Sequence, residues 1–300
     1  MFENVTALII KAVTPVHAGS GRELGFIDMP IQKESHTDIP KIEGSSVKGA
    51  LREEYRLKNE EKIYDLFGSD NGNRAGLIGF SDAKLLFYPI KSIHNLFSYV
   101  SCPYLINRFI EDLQMITKDR GEEKNNLQSN NKEGINLGLN NLSKIDPNSI
   151  VEGKAIFTDE EKDELILDVF SFTNKKNHEY DELLEFLHNK FKLHRDLVIL
   201  SDEDFIELIS LNREIVTRNR IGDDGITKEG DLFTEEYLPA ESILYTLLLV
   251  NGIINDKQNL IKKYKSDFPK ILQMGGDSTI GKGIVKMKIC DPSNGGVKDE

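Results

Sequence analysis

Asp28 stands near the end of a glycine-bearing stretch, PVHAGSGRELGFIDMPIQ (15–32), which also holds a single histidine, His17. Glycines at 19, 21 and 25 let the backbone run close to a ligand. Pro30 biases Met29 away from helix and toward extended backbone. A carboxylate on such a loop can bind one Mg2+ or accept a proton. It cannot build a two-metal site, because no second carboxylate lies at suitable local spacing. The same spacing also describes an aspartate that only shapes a turn. His17 is a base, a phosphate contact or a buried structural histidine, and the residue types leave these open.

Two further stretches carry residues suited to phosphate. In EGSSVKGALREEYRLK (43–58), Ser45 or Ser46 can cap a helix whose first N–H groups and dipole suit an anion. Lys48, Arg52 and Arg56 follow at i, i+4 and i+8, forming one basic stripe. An ordinary capped helix with a solvated basic face has the same pattern. GGDSTIGKG (275–283) matches G-x-x-x-x-G-K from Gly276 to Lys282. A nucleotide-binding P-loop then needs Ser or Thr and a helix; here Gly283 follows, and IVKMKI alternates like a strand. The glycines still allow close approach to a phosphate chain, or a bulged turn.

These residues must be positioned by a chain of 300 residues, long enough for one large domain or two ordinary ones. Its 39% hydrophobic content is sufficient for a core. Two distant cysteines, Cys102 and Cys290, make neither a disulfide framework nor a zinc spacing, which points to a reducing, cytoplasmic setting. The start MFENVTALIIKAV has no basic leader, and the apolar run 243–254 is too short to span a bilayer. The net charge of −12 argues against a basic nucleic-acid binder. It is unevenly spread, however. Residues 111–210 hold 23 acidic against 12 basic side chains, and the rest of the chain is nearly neutral.

ALIIKAV (7–13) is expected as a strand, 43–58 as a helix, 75–89 as strands and 102–116 as a helix begun by Pro103. The Asn-rich stretch 121–144 reads as a loop. Residues 150–211 read as one strand with helices, 180–191 the strongest helix. Residues 212–239 suggest a long hairpin, 241–250 a buried strand and 256–268 a helix. Residues 270–289 read as a strand interrupted by the glycine loop. This order predicts an α+β fold with a ferredoxin-like βαββαβ sheet and a large helical and loop insertion. The expected bounds are 1–100 with 240–292 for the sheet domain, 101–211 for the insertion and 212–239 for the hairpin.

Four ordered segments together resemble the RAMP superfamily: 14–52, 75–92, LFTEEYLP (232–239) and the glycine loop. The run G-S-G-x-x-L-G-x-I-D-x-P-I-Q is similar, more narrowly, to the backbone subunit of type III-B CRISPR effector complexes. The likeness is weak across about 119–210. It implies an RRM-like palm, a β-hairpin thumb and several copies stacked along a CRISPR guide RNA, together with other subunits and away from membranes. Each thumb flips one nucleotide in every six, and complementary target RNA pairs between. A loop aspartate, here Asp28, cuts the target there with Mg2+ or Mn2+. RNA supplies its own 2′-OH nucleophile, so a single carboxylate can suffice.

By the same resemblance His17 lies near the RNA. Glu235 and Tyr237 assist from the hairpin, near a neighbouring copy's loop, with Glu236 an alternative to Glu235. Ser45, Ser46, Lys48, Arg52, Gly276, Ser278, Thr279, Gly281 and Lys282 grip guide phosphates, with Arg218 and Arg220 at the thumb base. Phe233 or Ile226 is the apolar wedge. The alternatives are a non-cutting guide-RNA scaffold, or a repeat-RNA processing nuclease. The second needs a catalytic histidine dyad or triad near the glycine loop, and the sequence places no histidine beside it.

Overall fold

The run of apolar residues that begins the chain forms β1 (Phe2–Ala12), whose Ala7, Leu8 and Ile10 are fully buried. A computed structural model describes residues 2–21, 25–58, 60–69, 71, 73, 75–121, 144–157, 163–220, 232–251 and 268–290. After β1 come β2 (Lys41–Ile42), α1 (Gly44–Lys58), α2 (Glu60–Phe67), β3 (Ile78–Phe80), β4 (Ala83–Ser92), β5 (Leu96–Ser101) and α3 (Pro103–Gly121). Next are β6 (Lys154–Phe157), β7 (Glu164–Leu167), β8 (Phe170–Asn174), α4 (Asp181–Phe191), β9 (Leu197–Leu200) and α5 (Asp202–Leu211). The chain ends with β10 (Glu214–Asn219), β11 (Leu232–Tyr237), β12 (Ile243–Asn251), β13 (Ile271–Gln273) and β14 (Ile284–Cys290). Most of the Asn-rich stretch, the hairpin tip with Ile226, and nearly all of 256–268 lie outside the described residues.

The chain divides into two compact units, and β1 and β4 contribute to both. The first holds Met1–Phe2, Leu8–Leu85 and Ser210–Lys288; the second holds Glu3–Ala7, Leu86–Ile209 and Ile289–Glu300. The hairpin strands therefore group with the first unit.

In the first unit the strand order is β13-β14-β1-β12-β4, with β3 also paired to β12 and β2 to β4. Helix α1 buries Val47, Leu51 and Tyr55, as its spacing predicts, and packs on α2, β3 and β13. β10 and β11 form a separate antiparallel pair, from Glu214↔Tyr237 to Asn219↔Leu232.

The second unit corrects the reading of a helical insertion. Between α3 and α5, the described residues of the expected insertion form four strands, β6 to β9, besides α4. β4 pairs with β5, β5 with β9, β9 with β6, β6 with β8 and β8 with β7, and β7 returns to β4 at Ser92↔Leu167. These strands run only four to ten residues. In β9 all four residues, LVIL, are fully buried, so no alternation marks it. Phe87, Phe109 and Phe191 join β4 to α3 and α4 by ring contacts at 5.1 and 5.5 Å. No described helix is long and apolar enough to cross a membrane.

Candidate functional site

The Asp28 loop is fastened along the free side of β11. Met29 forms a parallel bridge with Glu235; its N–H donates to the Thr234 carbonyl at 3.0 Å, and its carbonyl accepts from the Glu236 N–H at 3.0 Å. Asp28 is solvent-exposed, and Thr234 fixes it reciprocally. The Asp28 N–H donates to Thr234 Oγ1 at 3.0 Å, while Asp28 Oδ2 accepts from the Thr234 N–H at 2.8 Å and hydroxyl at 2.9 Å. The carboxylate is held in one orientation at the surface rather than buried in a turn. Phe26, two residues earlier, is fully exposed.

Neighbouring residues of a strand face opposite sides, and the two candidate glutamates accordingly do different jobs. Glu236 is fully buried; its Oε2 accepts from the Ile31 N–H at 3.2 Å and its Oε1 pairs with Lys33 at 3.0 Å. It anchors the Asp28 loop. Glu235 is also buried, on the other face, where its Oε2 accepts from Arg218 and from the Tyr237 hydroxyl, the latter at 2.7 Å. Arg218 also donates to Asp277 Oδ1 at 2.9 Å, and the Tyr237 hydroxyl reaches Asp277 Oδ2 at 2.8 Å. Burial, followed by the two carboxylates, pushes the Tyr237 hydroxyl well above its ordinary range. Burial alone would raise the Asp277 carboxyl; the hydrogen bonds from Arg218 and Tyr237 outweigh it and hold it below the usual carboxylate range. Hydrogen bonds to Glu235 and then Asp277 raise Arg218 further.

His17 is buried between these elements. Its Nδ1 lies 2.8 Å from the Glu236 carbonyl, so in the neutral ring Nδ1 carries the proton and Nε2 is the acceptor. Its ring meets Tyr237 edge-on at 5.6 Å. Its carbonyl accepts from the Gly276 N–H at 2.9 Å. A Cβ on Gly275, which has φ +82°, would stand 2.4 Å from that carbonyl oxygen, and only glycine permits this contact. Folding thus brings a histidine to the glycine loop, which the sequence did not suggest. His36 lies beside Glu34, and the other four histidines belong to the second unit.

The expected phosphate-binding residues separate into groups. Ser278, Thr279, Gly276 and Gly281 are exposed around a short 3-10 turn, Ser278–Ile280. Lys282 is half-buried; its Nζ stands over the Tyr237 ring at 4.6 Å and 3.6 Å from Glu214. Ser45 is exposed, while Ser46, Lys48 and Arg52 are half-buried on α1. The helix starts one residue before Ser45, and a distant carboxylate, Asp82 Oδ1, accepts from the first N–H, that of Gly44, at 2.9 Å. Gln32, unremarked in the sequence although it closes the I-D-x-P-I-Q run, ties the two regions together. Its amide donates to the Gly19 carbonyl at 3.2 Å and to Ser46 at 3.4 Å, and it accepts from the Glu43 N–H at 2.7 Å. Arg218 and exposed Arg220 flank the Phe233 ring at 5.8 and 5.6 Å. Thr234, Gln32 and Asp277 were missed as site residues; each lies inside a quoted motif, and only its partner is remote.

The RAMP superfamily model matches residues 9–286, which covers every one of these segments. The chain belongs to the RAMP superfamily. Within it, the chain is 34% identical to the CRISPR system Cmr endoribonuclease Cmr4 of Pyrococcus furiosus, over 96% of both chains. It is 28% identical to the CRISPR system CMR subunit Cmr4 of Saccharolobus solfataricus, over 95% of this chain and 96% of that one. Among solved structures, oligomeric Cmr4 from Pyrococcus furiosus superposes with a TM-score of 0.70 at 29% identity, covering 95% and 97% of the two chains. A chain of the type III-B Cmr-beta complex bound to cognate target RNA gives 0.77 at 25% identity, covering 96% and 98%.

For this RAMP chain the metal expectation meets a sparse donor set. Among the described residues no group of three or more His, Cys, Asp and Glu is placed to hold an ion. Asp28 offers one fixed, exposed carboxylate. That suits a Mg2+ held mainly by water and substrate phosphate, and not an all-protein cage.

Proposed function

We propose that this chain is a repeating backbone subunit of a type III-B effector complex. In this reading it binds CRISPR guide RNA and cuts complementary target RNA. The observation that carries the cutting role is the exposed Asp28 carboxylate, oriented by Thr234 on a loop laced to the hairpin. The relative named as a Cmr endoribonuclease, alike over nearly its whole length, supports it. The strand order β14-β1-β12-β4 supports the ferredoxin-like palm, with α1 as its first helix. β10 and β11 are the thumb.

The chemistry follows from RNA itself. The 2′-oxygen attacks the adjacent phosphorus, the P–O5′ bond breaks, the 2′ proton passes to a base, and the 5′ oxygen takes up a proton. The products are a 2′,3′-cyclic phosphate and a 5′-OH. A-form geometry keeps the 2′-OH out of line with the leaving oxygen. Flipping one nucleotide in every six by the thumb removes that restraint, and alignment lowers the barrier. Asp28 then needs only to accept a proton or help neutralise charge. A Mg2+ or Mn2+ held by Asp28 would supply charge neutralisation at the phosphate.

The test is target-RNA cleavage by the assembled complex, with Mg2+ or with EDTA. Asp28→Asn keeps an oxygen for Thr234 but loses the charge; Asp28→Ala loses both. Wild type is expected to give products six nucleotides apart, and both variants to bind target yet cut at least about 100-fold more slowly. Wild-type rates in Asp28→Ala would make the chain a scaffold, with the chemistry in a partner.

A further inference from the structure

We infer that Arg218 and Asp277 are positioning residues that clasp the glycine loop to the hairpin and hold Glu235 and Tyr237 in place for the cut. This rests on the nuclease reading above and assigns Arg218 an internal role in place of a phosphate contact. The clasp joins residues from three separate segments: Arg218 on β10, Glu235 and Tyr237 on β11, and Asp277 in the loop before β14. The Tyr237 hydroxyl has one proton and stands 2.7 Å from one carboxylate and 2.8 Å from the other. It cannot satisfy both. The Arg218 guanidinium donates to the same two carboxylates and also lies 3.4 Å from the hydroxyl oxygen, which makes the arrangement possible. Without that cation two carboxylates would face one phenol, and repulsion would drive the Asp277 loop outward.

Opening has two consequences. Asp277 is followed by Ser278 and Thr279, both exposed. Turned inward it leaves that surface free for a phosphate; turned outward it sets a negative charge beside one. The loop is also bonded to His17 through the Gly276 N–H. His17 in turn bonds the Glu236 carbonyl, and the Glu236 side chain holds the Asp28 loop at Ile31 and Lys33. Release of the clasp is therefore felt at Asp28.

The experiment compares Arg218→Met, Arg218→Lys, Asp277→Asn and the double variant Arg218→Met/Asp277→Asn in the assembled complex. It measures single-turnover cleavage at saturating target, target affinity against salt, and hydrogen exchange of the 275–283 segment. Arg218→Met should raise exchange in that segment and slow cleavage about 10- to 100-fold, with little change in target affinity. Arg218→Lys should recover part of the rate. The double variant should cut no more slowly than Arg218→Met, because both remove one interaction. Losses that multiply in the double variant, unchanged exchange in Arg218→Met, or unchanged cleavage would each overturn the inference. So would a salt slope reduced by about one in Arg218→Met, which marks a direct phosphate contact. If the wild-type complex does not cut, the nuclease reading fails and exchange alone decides: a loop opened by Arg218→Met keeps the clasp, an unchanged loop removes it.

Discussion

Thr234 shows how much of the Asp28 carboxylate's setting is carried by one neighbour. Its hydroxyl accepts from the Asp28 N–H and donates to Asp28 Oδ2, so it fixes both ends of the residue. Thr234→Val keeps the shape and the backbone N–H but removes both hydroxyl contacts. At about 1 kcal/mol for each of the two net hydrogen bonds, cleavage should slow roughly 30-fold. Thr234→Ser should stay close to wild type. Single-turnover rates on a pre-bound target would check this, and equal rates for Val and Thr would show that Asp28 is positioned by the RNA. His17 makes a different kind of contribution. It is buried, its Nδ1 is committed to the Glu236 carbonyl, and its backbone receives the glycine loop. Its ring and its carbonyl thus link the hairpin strand to the glycine loop.

At the scale of elements, the glycine loop is held by backbone contact. Gly275 and Gly281 both have positive φ, +82° and +79°, but their surroundings differ. A Cβ at 281 meets nothing within 4 Å, whereas one at 275 strikes the His17 carbonyl. Gly281→Ala should cost about 1–2 kcal/mol of strain. Gly275→Ala should cost roughly 3 kcal/mol and displace the loop from His17. Urea unfolding of the two variants decides it; equal losses would mean the loop yields freely. These elements were unequally legible in the sequence. The spacing of Val47, Leu51 and Tyr55 marked α1, and IVKMKI marked β14, because each pattern is local. The start of α1 was placed on a serine, whereas Asp82, on the turn before β4, takes the first N–H. β9 was hidden by burial on both faces. Arg218 and its partner Asp277 lie 59 positions apart, and His17 lies 219 positions from Glu236, so no local pattern displays either pairing. Sequence displayed the motifs and their order; the pairings that decide what each residue does are long-range.

For the whole molecule the proposed function raises the question of how a chain of net charge −12 would track an RNA. Much of the acidity falls in residues 111–210, which lie almost wholly in the second unit, whereas the first unit carries α1, the glycine loop and the Asp28 loop. On α1 and the glycine loop the basic groups are Lys48, Arg52, Arg56, Lys58 and Lys282, and Arg218 is occupied by Glu235 and Asp277. Each copy therefore has only a handful of phosphate contacts to offer, and affinity scales with the number of phosphates neutralised. In the proposed assembly, copies stacked on one guide would add their contacts on a common strand, and every copy after the first would bind at high effective concentration. The isolated chain should accordingly hold a 12-nucleotide RNA weakly and lose it as salt rises. Affinity should climb steeply once the RNA is long enough for several copies. Titrating RNAs of increasing length at two salt concentrations measures this. Tight, salt-insensitive binding of the short RNA by monomer would instead place a complete guide site within a single chain.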